Sequence, residues 1–138
     1  MATFTKYQDT VDQMWRAVHN FTAAGHTVKA VIHSDAPTVA SDDELADLTQ
    51  VTGTGYTSGG EDTQNDMSET GGTATRTAVD ITWTAGASDW DAGRYVSEYN
   101  DTSTGDKLLA AWDYGSNFTL LNGETFTLDY GDSVATLA

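Results

Sequence analysis

The spacing of apolar side chains changes once along this chain, and that change limits the folds it can adopt. Up to residue 21 the apolar residues recur at the spacing of an α-helix, whereas the apolar segments after Gly25 are short and alternate as in β-strands. No second segment long enough for a crossover helix follows. Because parallel strands need such crossovers, the pattern excludes alternating βαβ units and favours antiparallel strands.

The N-terminal segment predicts one helix over residues 4–23, with Gly25 as its C-terminal cap. A rotation of about 100° per residue brings the apolar side chains to one face, and an aromatic-rich face of this kind is typical of core packing. We therefore expect the helix to pack on a sheet through this face. The face consists of Phe4, Tyr7, Val11, Met14, Trp15, Val18 and Phe21.

The remaining apolar segments predict strands joined by short turns. Residues 26–33 are rich in β-branched side chains, and Ser41 with Glu44 predicts a capping box that opens at most two helical turns. Residues 76–137 predict β-hairpins, one of which has the arms Tyr95–Tyr99 and Lys107–Tyr114. The predicted fold is mainly β with one N-terminal α-helix: an antiparallel β-sandwich or small barrel with the helix packed on the sheet.

Residues 52–75 interrupt the strand pattern with a glycine-rich segment. Serine, threonine and acidic residues make up most of the rest, and Tyr56 is its one aromatic residue. Such a composition buries too little apolar surface to offset the entropy lost on ordering. The segment therefore predicts an exposed loop or arm, with a short extended piece around Tyr56.

Length and charge narrow the classes of partner. A chain of 138 residues fits one domain, spanning residues 1–138. Its 21 acidic residues against 6 Lys and Arg give a net charge of −15, which repels phosphate backbones and anionic membranes. We therefore expect no nucleic-acid or membrane partner. The sequence has no cysteine, which excludes disulfides and thiolate zinc sites, and no visible secretion signal.

The sequence shows no pattern typical of an active site. His19, His26 and His33 recur every seven residues, but they fall on the predicted helix, its cap and a strand end, so we expect no convergence on a metal. The chain has no G-x-S-x-G motif and no visible combination of nucleophile, base and orienting group. We expect a protein that is not an enzyme and that carries no cofactor.

The polar loop between the two hairpin arms contains Asp101 and Asp106. Its acids do not follow the spacing of an EF-hand loop, and aspartates favour turns, so the loop predicts a solvated hairpin tip. Weak calcium binding through Asp101 and Asp106 is the alternative, because carboxylates and loop carbonyls are ligands that calcium takes.

Three aromatic residues are candidates for interaction. Trp90 lies in a predicted loop, where an exposed ring can stack on a sugar or contact a protein. Tyr95 and Tyr99 lie on the predicted strand RYVSEYN, whose edge, like that of the C-terminal run SVATLA, is a candidate for pairing between copies.

Read in order, most of the chain resembles the capsid decoration, or cement, proteins of tailed phages. The resemblance lies in four stretches, similar to the family's helix, its strand with a turn-proline, its glycine-rich segment and its closing hairpins. They are FTKYQDTVDQMWRAVHNF, HTVKAVIHSDAPT, LADLTQVTGTGYTSGG and RYVSEYNDTSTGDKLLAAWDYGSNFTLLNGETFTLDY.

The resemblance implies a virion structural protein that is assembled in the host cytoplasm and is located on the capsid exterior. It would bind the major capsid protein, commonly as a homotrimer, and hold neighbouring capsid subunits together against internal DNA pressure. The alternative function is a tail- or fibre-associated adhesion module that binds host glycan, for which Trp90 would supply the stacking surface.

Overall fold

The structure, a computed structural model, describes residues 2–137 and is mainly β with one N-terminal helix and antiparallel sheets, as the sequence predicts. The strands alternate with turns rather than with helices. The elements are β1 (Thr3–Lys6), α1 (Asp9–Trp15), β2 (Val28–His33), a 3₁₀ helix (Leu45–Asp47), β3 (Glu61–Asp62), β4 (Asp66–Thr70), β5 (Thr73–Thr77), β6 (Ile81–Thr84), β7 (Gly93–Asn100), β8 (Lys107–Phe118), β9 (Thr125–Leu128) and β10 (Ala135–Leu137).

The strands form three antiparallel sheets. The largest has five strands in the order β1-β8-β7-β2-β3, the second has the order β10-β5-β4, and β6 pairs with β9. The predicted hairpin is confirmed, because β7 and β8 pair along their length with Tyr95 opposite Asp113 and Asn100 opposite Lys107. The strand RYVSEYN lies in the middle of the sheet, so the expectation that its edge pairs between copies is wrong.

The five-stranded sheet is covered on both faces. One face packs against the β6–β9 pair and the loops around it, through buried residues such as Ile32, Trp83 and Val96. The other face packs against Tyr7 and the 3₁₀ helix, through Val31 and Tyr99. Since side chains alternate along a strand, β2 supplies both cores and is buried at nearly every position.

The prediction of a helix over residues 4–23 is wrong in extent and in orientation. Thr3–Lys6 is a strand paired with β8, and the helix covers only Asp9–Trp15. Its inward face carries the polar residues Thr10 and Gln13. The helix does pack on the sheet. Of the apolar side chains expected in the core, Tyr7 is fully buried, whereas Phe4, Val11, Met14 and Trp15 are exposed. None of the helices in residues 2–137 has the length and apolar composition needed to cross a membrane.

A bulge in β8 explains why a polar face of α1 points inward. The register between β7 and β8 shifts at Glu98/Tyr99, which leaves Leu109 as an extra residue on β8. The carbonyl of Leu109 accepts hydrogen bonds from the Tyr7 amide at 3.2 Å and from the Thr10 hydroxyl at 3.1 Å. The bulge therefore needs donors beneath it, and Thr10 supplies one that an apolar side chain lacks.

The prediction of an exposed loop over residues 52–75 is also wrong in part. The segment contains β3, β4 and the start of β5, and Thr63 is fully buried with its hydroxyl donating to the Val28 carbonyl at 3.0 Å. Glycine serves close packing here, because a Cβ on Gly60, at φ +69°, would lie 1.9 Å from the Ala30 carbonyl oxygen. Among the three strands of this segment, only β4 is exposed along its whole length.

The short helix predicted after Ser41 is a single 3₁₀ turn, and the capping box that opens it is formed by Glu44 and Asp47 rather than by Ser41 and Glu44. Two backbone amides donate to the Asp47 carboxylate, and these hydrogen bonds lower the pKa of Asp47 below its usual range.

Helix α1 ends without a glycine. The Val18 amide donates to the Gln13 carbonyl and the Ala17 amide to the Met14 carbonyl, which is the hydrogen-bond pattern of a Schellman motif. Ala17 takes the left-handed position of this motif with φ +55°, where a Cβ is strained. The motif, rather than Gly25, ends the helix.

We predict that Ala17→Gly stabilises the protein by about 0.5–1 kcal/mol, because glycine removes the left-handed strain and this gain exceeds the added entropy of the unfolded chain. Urea unfolding followed by circular dichroism measures the change. Ala24→Gly is the matched control, since Ala24 is exposed and is not among the residues with positive φ. Equal or lower stability of Ala17→Gly would contradict the account of the helix end.

Candidate functional site

An apolar groove of about 540 Å³ lies between α1, the β1–β8 edge of the large sheet and the three-stranded sheet. Helix α1 contributes Thr10, Val11, Met14 and Trp15. The other lining residues are Phe4 and Lys6 from β1, Phe21, Met67 from β4, Ala74 and Arg76 from β5, Leu109 and Ala110 from β8, and Ala135, Thr136 and Leu137 from β10. A volume of this size is in the range of ligand and peptide sites.

Exposed apolar side chains concentrate in this groove. Within residues 2–137 eight large hydrophobic side chains are exposed, and six of them line the groove. Trp15 is the extreme case, with 90% of its surface accessible. Contiguous apolar surface on a soluble protein is typical of an interaction site. The six are Phe4, Val11, Met14, Trp15, Met67 and Leu137.

Strand β1 and helix α1 direct side chains into the groove for different reasons. On β1, residues alternate, so that Phe4 and Lys6 face the groove while Thr3 and Thr5 line a smaller pocket elsewhere. On α1, the helical period turns Val11 and Trp15 outward because Thr10 and Gln13 are held inward by hydrogen bonds. Polar anchoring below the helix therefore produces the apolar surface above it.

A buried ion pair lies at the base of the groove. Arg76 forms a two-point contact with the carboxylate of Glu98, whose side chain is fully buried, while the Arg76 side chain is 9% exposed. The Arg76 guanidinium also stacks on the Phe21 ring, with 5.3 Å to the ring centroid. This pair joins β5 of the small sheet to β7 of the large one.

Two histidines lie behind Phe21. The amide nitrogen of Asn100 is 2.9 Å from Nδ1 of His19 and 2.9 Å from Nδ1 of His26, and the Asn100 side-chain oxygen accepts the amides of Thr102 and Ser103. Both imidazoles therefore accept a hydrogen bond in the neutral form. Burial and the neighbouring His26 lower the pKa of His19 to about 4. Asn100 thus holds His19 and His26 close together, a contact that the sequence pattern does not indicate.

The third histidine belongs to a separate buried network. His33 Nε2 is 2.8 Å from the Ser97 hydroxyl, and His33 Nδ1 donates to the Asp35 carbonyl at 3.0 Å and lies 3.4 Å from its carboxylate. The Tyr7 hydroxyl donates to Ser97 at 2.9 Å. Burial lowers the pKa of His33, so that it is neutral and accepts from Ser97. Burial also raises the pKa of Tyr7 to about 12.

Ser97, His33 and Asp35 thus form a chain of contacts through the His33 ring, although no such combination is visible in the sequence. Ser97 and His33 have no accessible surface, and the Ser97 hydroxyl also contacts the Tyr7 hydroxyl. The network anchors Tyr7 to the sheet.

The three aromatic interaction candidates are buried, so the exposed ring expected at Trp90 is wrong. Trp90 is 3% exposed, and its Nε1 donates to the Thr54 carbonyl at 2.9 Å. Tyr95 stacks on His33, with ring centroids 5.5 Å apart, and Tyr99 donates to the Gly59 carbonyl at 2.7 Å. Each side chain is fixed by core contacts. Burial of Trp90 removes the observation that motivated the glycan-binding alternative.

The calcium alternative gains no further ligands from the fold. Asp101 pairs with Lys29 at 3.0 Å, and burial, followed by the nearby Asp101, raises the pKa of Asp106. Among residues 2–137, no three His, Cys, Asp or Glu side chains are grouped so that they could hold a metal ion. Weak calcium binding at Asp101 and Asp106 remains a prediction.

Sequence reasoning found the residues of the groove but gave them the wrong role. The N-terminal apolar stripe is the signal, and five of its members line the groove: Phe4, Val11, Met14, Trp15 and Phe21. Residues from β5, β8 and β10 carry no comparable signal, because only the tertiary fold brings these strands to one place.

Comparison of the chain with known protein families, with curated proteins and with solved structures finds no match. The site is therefore interpreted from its own geometry.

We predict that Glu98→Gln destabilises the protein by about 3 kcal/mol or more, because it leaves the Arg76 guanidinium without a charge partner at a mostly buried position. Asp113→Asn is the matched control. It removes the carboxylate from a similar two-point pair with Arg94 that is about one-third exposed, so it should cost clearly less. Urea unfolding measures both, and equal losses would contradict the assigned importance of the buried pair.

We predict that the free energy of unfolding falls as the pH drops from about 6.5 to 4. Burial holds the pKa of His19, at about 4, below its value in the unfolded chain, so the unfolded state takes up the proton first. The lowered pKa of His33 acts in the same direction.

Urea unfolding at several pH values in this window measures the slope. His19→Gln keeps a hydrogen-bonding side chain but does not titrate. In this variant the slope of the unfolding free energy against pH should be smaller, by an amount equivalent to the uptake of about one proton at most. The same slope in wild type and variant would show that His19 does not titrate as described.

Proposed function

We propose that this protein is a virion structural protein that decorates the outer surface of a phage capsid and stabilises it by binding the major capsid protein. In this proposal the apolar groove is the docking surface, and the protein acts without catalysis and without a cofactor. The observation that carries the proposal is the concentration of six exposed large hydrophobic side chains in one groove. The resemblance of the sequence to decoration proteins supplies the identity of the partner.

The physical support for docking is the cost of leaving this surface in water. Burial of apolar surface contributes about 25 cal/mol per Å², so covering several large side chains yields a binding free energy of several kcal/mol. Trp15 is the most exposed of the six side chains, and tryptophan is among the residue types that contribute most binding energy in interfaces. A partner that covers Trp15 and Met14 removes the largest unfavourable exposure in the described chain.

Charge supports a protein partner over a nucleic acid. The net charge of −15 repels packaged DNA, which a protein on the exterior of a shell does not contact. Homotrimer formation remains part of the proposal. The outer edge of β4 is exposed and ends its sheet, so it is available for pairing between copies.

We predict that Trp15→Ala lowers the affinity for capsid shells about tenfold or more. The test incubates purified protein with expanded shells of the major capsid protein of the same phage, measures binding by co-sedimentation, and locates added density by electron microscopy. Leu121→Ala is the matched control, because Leu121 is 50% exposed and lies outside the groove lining. The control should bind as wild type does.

Unfolding measurements separate binding from folding, since Trp15 is 90% exposed and its loss should barely change stability. Absence of wild-type binding to shells, or density on the interior, would overturn decoration of the exterior. Equal binding of the two variants would overturn the groove as the docking surface.

A further inference from the structure

The groove is bordered by two strands that each end a sheet. β1 is the outermost strand of the five-stranded sheet, and β10 is the outermost strand of the three-stranded sheet. In an antiparallel pair, alternate residues direct their backbone N–H and C=O groups away from the partner strand. Within residues 2–137, no other strand pairs with the outer edge of β1, whose four residues are all exposed. An extended segment can therefore add to this edge.

The side chains of β1 specify the pattern that such a segment would carry. Phe4 and Lys6 face the groove, and Thr3 and Thr5 line the smaller pocket. A strand paired with β1 continues this alternation. Its side chains on the groove side would meet Phe4 and the apolar face of α1, and those on the other side would lie beside the threonines. The matching segment alternates apolar and polar residues.

Lys6 adds a charge requirement. Five of the six Lys and Arg side chains contact a carboxylate at 3.0 Å or less, whereas Lys6 has none within 4.0 Å in the part of the chain that is described. None of the groove-lining residues is acidic, although the chain contains 21 Asp and Glu. The groove lining thus offers Lys6 no carboxylate, and a segment bound here can supply one.

We propose that the groove binds an extended segment of the partner protein by strand addition to β1, and that this segment presents alternate apolar side chains and one carboxylate to Lys6. The inference rests on the proposed function, since it specifies which part of a partner subunit the docking groove takes. It commits to a strand rather than to a helix or a second copy of this chain, because the free edge and the alternation of β1 recognise a strand.

The test uses three eight-residue peptides with blocked ends and the full-length protein. The first alternates valine and threonine and carries one glutamate on the valine side; the second carries lysine instead of glutamate; the third has the glutamate and N-methyl groups on alternate backbone amides. Emission of the exposed Trp15 reports binding, and hydrogen exchange of residues 3–6 reports pairing with β1. Light scattering monitors the oligomeric state throughout.

We expect the glutamate peptide to bind about three- to tenfold more tightly than the lysine peptide, as for a partly exposed ion pair replaced by like charges. It should slow exchange in residues 3–6, and the N-methyl peptide should bind much more weakly. In Lys6→Glu the preference should reverse. Arg16→Glu makes the same change in net charge outside the groove lining and should leave the preference unchanged.

Three results would overturn the inference: equal binding of the glutamate and lysine peptides, undiminished binding of the N-methyl peptide, or release of a second copy from the groove by the peptides. Shell binding distinguishes the two proposals. If shells bind in a Trp15-dependent way and no peptide binds, strand addition fails and decoration stands. If the glutamate peptide binds as expected and shells do not, decoration fails and the groove remains a strand-binding site.

Discussion

The structure depends on four consecutive residues of β7, each of which fixes a different peripheral element to the central sheet. Ser97 holds Tyr7 and with it the N-terminal segment, and Glu98 holds Arg76 of the small sheet. Tyr99 donates to the Gly59 carbonyl in the glycine-rich segment, and Asn100 bridges His19 and His26 after the helix. Because β7 lies between β8 and β2, none of these polar groups reaches water, and each must find its partner inside the protein.

This arrangement accounts for a helix whose apolar side faces outward. A short helix is normally held by apolar burial, since seven residues are too few to be stable alone. Here Thr10 donates to carbonyls freed by the β8 bulge, Gln13 accepts from His19, and Tyr7 enters the core beside them. Directional hydrogen bonds replace the apolar contact, so Val11 and Trp15 are left free to form the groove.

The sequence predicted the features that depend on local residue patterns. It did not predict the strands and buried side chains whose structure depends on tertiary contacts. Strand alternation and turn residues predicted the β7–β8 hairpin and the antiparallel class correctly. The stripe from Phe4 to Phe21 has a helical period, but only β8 determines that Thr3–Lys6 pairs as a strand. The glycine content suggested a loop at Gly60. In the structure, Gly60 is packed closely against the Ala30 carbonyl, where a side chain would not fit. Burial of Trp90 likewise depends on a glycine, because the backbone of Gly53 packs closely against the Trp90 side chain.

The acidity of the chain and its apolar groove are physically connected. A contiguous apolar surface promotes non-specific association, and a net charge of −15 opposes it by repulsion between copies over roughly a Debye length of 10 Å. That repulsion acts on any acidic partner at a distance, whereas the groove itself has no acidic lining residue and carries the exposed Lys6. Surface charge therefore limits the orientations in which a partner can approach, and the apolar side chains determine how strongly that partner binds. The acidic side chains and the apolar side chains lie on different parts of the surface. Charge repulsion can therefore oppose association between copies while the groove still exposes the hydrophobic side chains that a partner covers.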